Sequence, residues 1–234
     1  MIDQLVDLIT ADDQLFLINA LAFDDAWQEP YEEGDVQGDT FTTEEGDEQS
    51  VRMMHSYETT YLENNLAEGF LKPYKNYNFA FVALLPKQGV QLTDLVASLD
   101  GTSLHDLIAN PISNIEVSAG LPKFLIDYQT TLNDQLVAMG VCDAFDPKLA
   151  DFSRMATLKD GNLAISTVLQ KTFIDVNETG TKAAAVTAIG VSGSTATPDE
   201  PEVREVILDR PFVYFIIDNM TLTPLFAGVM ASMG

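Results

Sequence analysis

Phe173-Ile174-Asp175-Val176-Asn177-Glu178-Thr179-Gly180-Thr181-Lys182-Ala183-Ala184-Ala185-Val186-Thr187 joins two opposite kinds of chain. Its first part closes an apolar, β-branched run, Leu163 to Val176, that reads as a strand. Its second part opens a segment, Glu178 to Glu202, that is poor in bulky residues and rich in Ala, Gly, Ser and Thr. That segment ends on Pro198-Asp199-Glu200-Pro201-Glu202. By composition it is an exposed loop, and a loop of this length inside a compact protein is usually functional or disordered. Thr181, Ala183, Ala185 and Thr187 alternate with Lys182, Ala184 and Val186. In extended form one face of the segment would therefore carry only small side chains, with Lys182 on the other, free to reach water. Neither Pro nor an aromatic residue interrupts Thr181 to Thr187, so this stretch could slide between two existing strands with little steric cost.

Working outward, the flanking sequence alternates strands with short helices. Leu5 to Ile9 is a short amphipathic piece, and Leu15 to Phe23, after Asp12 and Asp13, suits a buried strand. Gln28 to Gln49 is acidic and Gly-rich, fit for solvated loops and edge strands, with one strand core at Thr40-Phe41-Thr42. Val51 to Leu62 is strand-like, and Asn78 to Leu85 is a strand closed by Pro86-Lys87-Gln88-Gly89. Short helices are expected over Leu92 to Leu99 and Ser103 to Ile108, the second ended by Asn110-Pro111. Ile115 to Asp127 is strand-like but interrupted by Gly120 and Pro122. Thr131 to Met139 has helical spacing with Gly140 as its stop. Phe212 to Ile217 and Leu222 to Val229 close the chain as strands.

Composition excludes several functions. With 234 residues, 46% of them hydrophobic, the chain can bury one large core or two small ones. Two His and one Cys, Cys142, rule out most zinc-cluster and disulfide-framework readings. A net charge of −24 opposes binding to nucleic acid or to an anionic membrane. No apolar run is long enough to cross a bilayer, and Met1-Ile2-Asp3-Gln4 does not open a signal peptide. A hydrolase would need a nucleophile elbow or a metal-binding His pair, and neither motif occurs. His55 and His105 read as exposed residues rather than bases. The pairs Glu32-Glu33 and Glu44-Glu45 read as solvated loop charge, and no calcium-binding loop is present. No catalytic residue, metal ligand or cofactor is therefore expected.

The segment Phe173 to Ala185 resembles the hinge of the serpins, a family of serine protease inhibitors. Asp209-Arg210-Pro211-Phe212 with Leu225-Phe226-Ala227-Gly228 resembles the family's C-terminal signature. Asn19-Ala20-Leu21-Ala22-Phe23 leading to Trp27 is similar to the third strand of its sheet A and the turn that follows. Val51-Arg52-Met53-Met54 and Leu121-Pro122-Lys123-Phe124 also match. Five landmarks fall in family order at family-like spacing over essentially the whole chain. The resemblance implies an α+β serpin fold, in part: mainly antiparallel sheets A, B and C, a few short helices and an exposed reactive loop at about 178–202. Residues 1–234 would form the C-terminal part of one serpin domain.

The resemblance also implies a mechanism. A target serine protease cleaves the loop and forms an acyl-enzyme through its own nucleophile. The loop then enters sheet A as a new strand, carrying the protease with it, and deacylation fails. The inhibitor is thus a suicide substrate, not an enzyme, and its partner is the protease, held as a covalent acyl complex. Gly180 would be the pivot, with Thr181, Ala183, Ala184, Ala185 and Thr187 inserting first. Glu178 and Lys123 align with an ion pair at the top of sheet A, the breach, where Trp27 packs. Asn19 and Gln170 align with the shutter, Gln170 standing where the family usually has His. Hinge spacing puts the cleaved bond at Ser194-Thr195, within Gly193 to Thr197. These small neutral residues fit elastase-like or subtilisin-like pockets better than trypsin-like ones.

The resemblance further suggests a secreted or cell-surface protein. The chain begins just upstream of the third strand of sheet A, so an N-terminal part, as a separate chain or lost by truncation, is expected to complete the fold. Alone, the chain is expected to associate through exposed edges. The alternative reading is a truncated or non-inhibitory serpin-like protein that traps no protease.

Overall fold

The computed structural model describes residues 9–10, 13–156, 158, 161–181 and 201–233. In chain order its strands are β1 (Leu15–Ala22), β2 (Asp25–Ala26), β3 (Val36–Thr42), β4 (Glu48–Glu58), β5 (Tyr61–Glu63), β6 (Ala67–Pro73) and β7 (Phe79–Pro86). Helices α1 (Leu92–Ser98) and α2 (Gly101–Ala109) follow, then β8 (Ile115–Pro122), β9 (Phe124–Thr131) and helix α3 (Asn133–Ala138). The last strands are β10 (Ile165–Asn177), β11 (Gly180–Thr181), β12 (Glu202–Ile207), β13 (Phe212–Asp218) and β14 (Pro224–Met230). The chain divides into two compact units, 1–23 with 125–175, and 24–124 with 176–234.

In the first unit β1 runs parallel to β10, in register from Phe16 opposite Thr167 to Ala22 opposite Phe173, and β9 also pairs with β10. Asn133 fixes the start of α3 to β10: its amide nitrogen donates to the Ser166 carbonyl at 2.9 Å, and its oxygen accepts from the Val168 amide at 2.8 Å. Gly140, at φ 98°, ends the helical stretch as its position suggests. The Lys171 ammonium meets the Asp127 carboxylate at 3.2 Å. The burial expected for Leu15 to Phe23 is not found along most of the strand. Phe23 is buried, but Leu17 and Ile18 are 40% and 47% exposed. The run is apolar enough for a central strand, yet β1 ends its sheet among the described residues, with a strand neighbour on one side only.

The second unit contains two sheets, ordered β12-β8-β4-β3 and β14-β13-β7-β6-β5. β7 is the centre of the latter, and all its residues but Phe79 are buried. Its alternation explains why both faces can be apolar. Ala80, Val82 and Leu84 face a cluster completed by Leu92 and Leu95 of α1, Leu104, Leu107 and Ile108 of α2, and Val213, Phe215 and Ile217 of β13. Each Val, Leu, Ile or Phe side chain there removed from water contributes about 1.5–3 kcal/mol. On the other parity, Phe81 stacks on Tyr214 at 5.7 Å between ring centroids and meets Trp27 edge-on at 6.0 Å. α2 starts where Asp100 accepts from the Thr102 and Ser103 amides while Ser103 reaches back to the Asp100 amide, a capping box.

The helices fall where the spacing predicts, within two residues at each end. The run Ile115 to Asp127 is broken at Lys123 into β8 and β9. Four strands are absent from the expectations: the two-residue β2 and β11, then β6, and β12, which pairs in parallel with β8. The piece Leu5 to Ile9 and the loop residues 182–200 lie outside the described residues, except Ile9.

Candidate functional site

The exit from β10 is a tight hairpin. Asn177 pairs with Gly180 and Val176 with Thr181, so the chain reverses over Glu178-Thr179. Asn177 helps to form this turn: its side-chain oxygen accepts from the Thr179 amide at 3.0 Å and from the Thr179 hydroxyl at 2.8 Å. β11 is then paired on its other side with β2, Gly180 opposite Ala26 and Thr181 opposite Asp25. The expectation of an exposed loop from Glu178 onward is therefore corrected at its start. Gly180 and Thr181 are buried, and Thr181 is 0% exposed. A small residue flanked by backbone on both sides fits there, which is why a composition typical of exposed loops leads here into a sheet.

Four contacts hold the turn. The Trp27 amide donates to the Thr179 carbonyl at 3.0 Å, the Tyr31 amide to the Glu178 carbonyl at 2.9 Å, and the Trp27 indole Nε1 to the Asn177 carbonyl at 2.8 Å. The Lys123 ammonium lies 2.6 Å from the Glu178 carboxylate, in the pairing the sequence comparison expected. This bond holds the Glu178 carboxyl below its usual range, against a smaller opposing effect of burial. Both side chains are about one-third exposed, so the pair guides geometry more than it adds stability.

Trp27 is 1% exposed and stacks on Tyr74, centroids 4.4 Å apart and planes 14° from parallel. The Tyr74 hydroxyl shares a 2.6 Å hydrogen bond with the Thr181 hydroxyl. Burial pushes the phenol of Tyr74 well above its ordinary pKa, so it stays neutral. Beyond Trp27, Lys72 is buried with its ammonium 2.8 Å from Glu58, 5.6 Å from the Trp27 ring centre and 4.3 Å from that of Tyr31. The Ser56 hydroxyl donates to the same Glu58 oxygen at 2.6 Å. Burial likewise raises the Tyr31 phenol, with Glu58 adding to the shift.

The structure thus brings Trp27, Lys123, Glu178, Gly180 and Thr181 together. Asn19 and Gln170 are register partners in β1 and β10. Ala183, Ala184, Ala185, Thr187, Ser194 and Thr195 lie outside the described residues. Tyr74, Tyr31, Lys72 and Glu58 were not anticipated. Pro73-Tyr74 carries no motif, and Glu58 and Lys72 meet across 14 positions with no spacing rule to pair them. Among the described residues no group of His, Cys, Asp or Glu is placed to hold a metal ion.

Gly180 and Thr181 thus have strand partners on both sides, and the sequence after them begins with small residues. The serpin (serine protease inhibitor) family model matches residues 1–233, and the chain belongs to this family. An uncharacterized serpin-like protein of Methanosarcina acetivorans is 35% identical over 221 residues, which cover 94% of this chain and 51% of that protein. Leukocyte elastase inhibitor A of Mus musculus is 31% identical, over 97% of this chain and 60% of its own length. The chain thus spans about half the length of the curated relatives it matches. The native-state crystal structure of tengpin, a thermophilic serpin, matches with a TM-score of 0.89 at 41% identity, over 99% of this chain and 59% of that one. Tengpin in its latent state matches less well, with a TM-score of 0.70 at 35% identity, over 89% and 54%. No helix among the described residues is long and apolar enough to cross a membrane.

Proposed function

We propose that this chain is the loop-bearing part of a suicide-substrate inhibitor of serine proteases with pockets for small residues, elastase-like or subtilisin-like. The observation that carries the reading is the parallel pairing of β1 with β10 along the whole of β1. Two parallel strands that are neighbours in a sheet leave room between them, once parted, for one antiparallel strand. The stretch with the composition to fill it, Thr181 to Thr187, follows β10 in the sequence, just after the Glu178-Thr179 turn. The better match to the native than to the latent state of tengpin supports a starting state in which that place is not yet filled.

In this reading the protease serine oxygen attacks the Ser194 carbonyl carbon. The Ser194–Thr195 C–N bond breaks, the Thr195 amine leaves with a proton, and an ester joins the protease to Ser194. Gly180 is the pivot. Ala183, Ala184, Ala185 and Thr187 follow Thr181 into the sheet, while Asn19 and Gln170 part to admit them. The similarity to leukocyte elastase inhibitor A supports an elastase-like target. The reading includes a second segment that completes the sheet beyond β1, supplied by the same protein or by another chain, and an extracellular site of action.

Incubating the protein with elastase, subtilisin and trypsin, followed by denaturing electrophoresis, tests it. A band stable to denaturation at the summed mass is expected with the first two, with cleavage mapped between Gly193 and Thr197. Cleavage after Lys182 or Arg204 by a trapped protease, or no stable complex with any, would refute it.

A further inference from the structure

We propose that Tyr74 is a positioning residue of the hinge: its hydroxyl latches that of Thr181, holding the first residue of the loop already seated as a strand between β10 and β2. The functional consequence rests on the inhibitory reading above; the latch itself does not.

Three independent features place the latch. Thr181 has backbone partners on both sides, Val176 and Asp25, so it already occupies the position of a strand residue. Its hydroxyl is wholly buried and meets the Tyr74 hydroxyl at 2.6 Å. The Tyr74 ring cannot drift, because it lies flat against Trp27, and Trp27 is tied to the Asn177 carbonyl through its indole nitrogen. The latch is thus built on Trp27, which also holds the turn. Trp27 and Tyr74 are also bridged through their backbones, which fixes the height of the ring against Thr181.

The arrangement has a chemical consequence for position 181. Only a short side chain with a hydroxyl on the β-carbon can sit between two strands and still reach the phenol. Alanine would fill less and bond nothing; valine would match the shape and lose the bond. Removing one member of a buried hydrogen-bonded pair is costly, whereas replacing both by apolar groups of the same shape is nearly neutral. The seated hinge then spares insertion its first step, because the first strand residue is in place before the loop is cut. The latch also sets how readily the rest of the loop follows.

Hydrogen–deuterium exchange on the intact protein reads the seat directly, through the Gly180 and Thr181 amides, with β7 amides as the control for global stability. Tyr74→Phe keeps the stack on Trp27, and Thr181→Val keeps the volume; each should lower hinge protection about tenfold, within a range of roughly 5- to 150-fold. The double variant should return to within about threefold of the parent, and Thr181→Ser should match the parent. Single variants within twofold of the parent, or a double variant that loses the product of both, would overturn the latch. Trapping assays on the same proteins separate the two readings. With an inhibitor, either single variant should raise the number of molecules consumed per protease trapped. If the parent traps no protease the inhibitory reading fails, while the exchange pattern still decides the latch.

Discussion

Glu58→Gln tests how the aromatic support of the hinge is held. The substitution keeps the shape of the side chain and its contact with Ser56, but leaves the Lys72 ammonium in a site where the two side chains are 3% and 7% exposed. Breaking a buried ion pair from one side typically costs 3–5 kcal/mol. One feature of this site reduces that. The faces of Tyr31 and Trp27 lie 4.3 and 5.6 Å from the ammonium and attract it, at about 0.5–2 kcal/mol each. A net loss of about 2–4 kcal/mol follows. The double variant Glu58→Gln with Lys72→Met removes both charges and keeps the volume, and should recover most of that loss. Urea denaturation of the intact protein, followed by far-UV circular dichroism, gives all three values. Trp27 is the only Trp of this chain, and its fluorescence reports whether the stack on Tyr74 loosens with the charge. A Glu58→Gln variant within about 0.5 kcal/mol of the parent would refute the buried pair as the support of Trp27. So would a double variant no more stable than the single one, since the unpaired cation would then not be the cause.

Three further outcomes are expected. Thr181→Arg puts a long cation where Thr181 has no exposed surface; the hinge should leave its seat, loop cleavage should continue, and stable protease complex on a denaturing gel should fall to near nothing. Because Lys123 holds the Glu178 carboxyl below its usual range, the stabilisation is fully present above the ordinary Glu pKa and is lost as pH falls through the lower folded value. Hinge amide protection should therefore decline on acidification below about pH 4.5, the ordinary Glu value, and Lys123→Met should remove that component of the pH dependence. Gly228→Ala should lower the thermal midpoint, with a destabilisation of about 1–3 kcal/mol, because a Cβ there would run into the Tyr214 ring across the β13–β14 pair. An unchanged midpoint would mean that the ring moves aside freely.

What was legible in the sequence was whatever a local rule governs. The strand β10 and the run of small residues after it stood out because the two follow one another in the chain. Helices α1, α2 and α3 were legible through their spacing and stop signals. What was not legible depends on what comes to lie against a residue. Leu15 to Ala22 is apolar enough to be central, but hydropathy does not say whether a strand has one neighbour or two. β6 shows the converse. Its sequence, Ala67-Glu68-Gly69-Phe70-Leu71-Lys72-Pro73, includes a Gly, two charges and a Pro, and reads as loop. Two of these apparent faults are requirements of the fold. Gly69 is needed because the backbone of Ala83 approaches so closely that any side chain would collide with it. Lys72 is buried because Glu58 neutralises it and two aromatic faces receive it. Tyr74, one residue beyond the strand, takes the hinge hydroxyl from 107 positions away. The Lys123–Glu178 pair, 55 positions apart, was reachable only through likeness to a family, since nothing in either residue's surroundings selects the other. The Tyr74–Thr181 contact had no such guide. A strand that breaks the local rules at two positions, and is followed at once by a buried tyrosine, is therefore the supporting wall of the hinge. Its irregular residues are explained by the contacts they make, and substitutions at Lys72 or Glu58 should reach the loop through Trp27 without touching the loop itself.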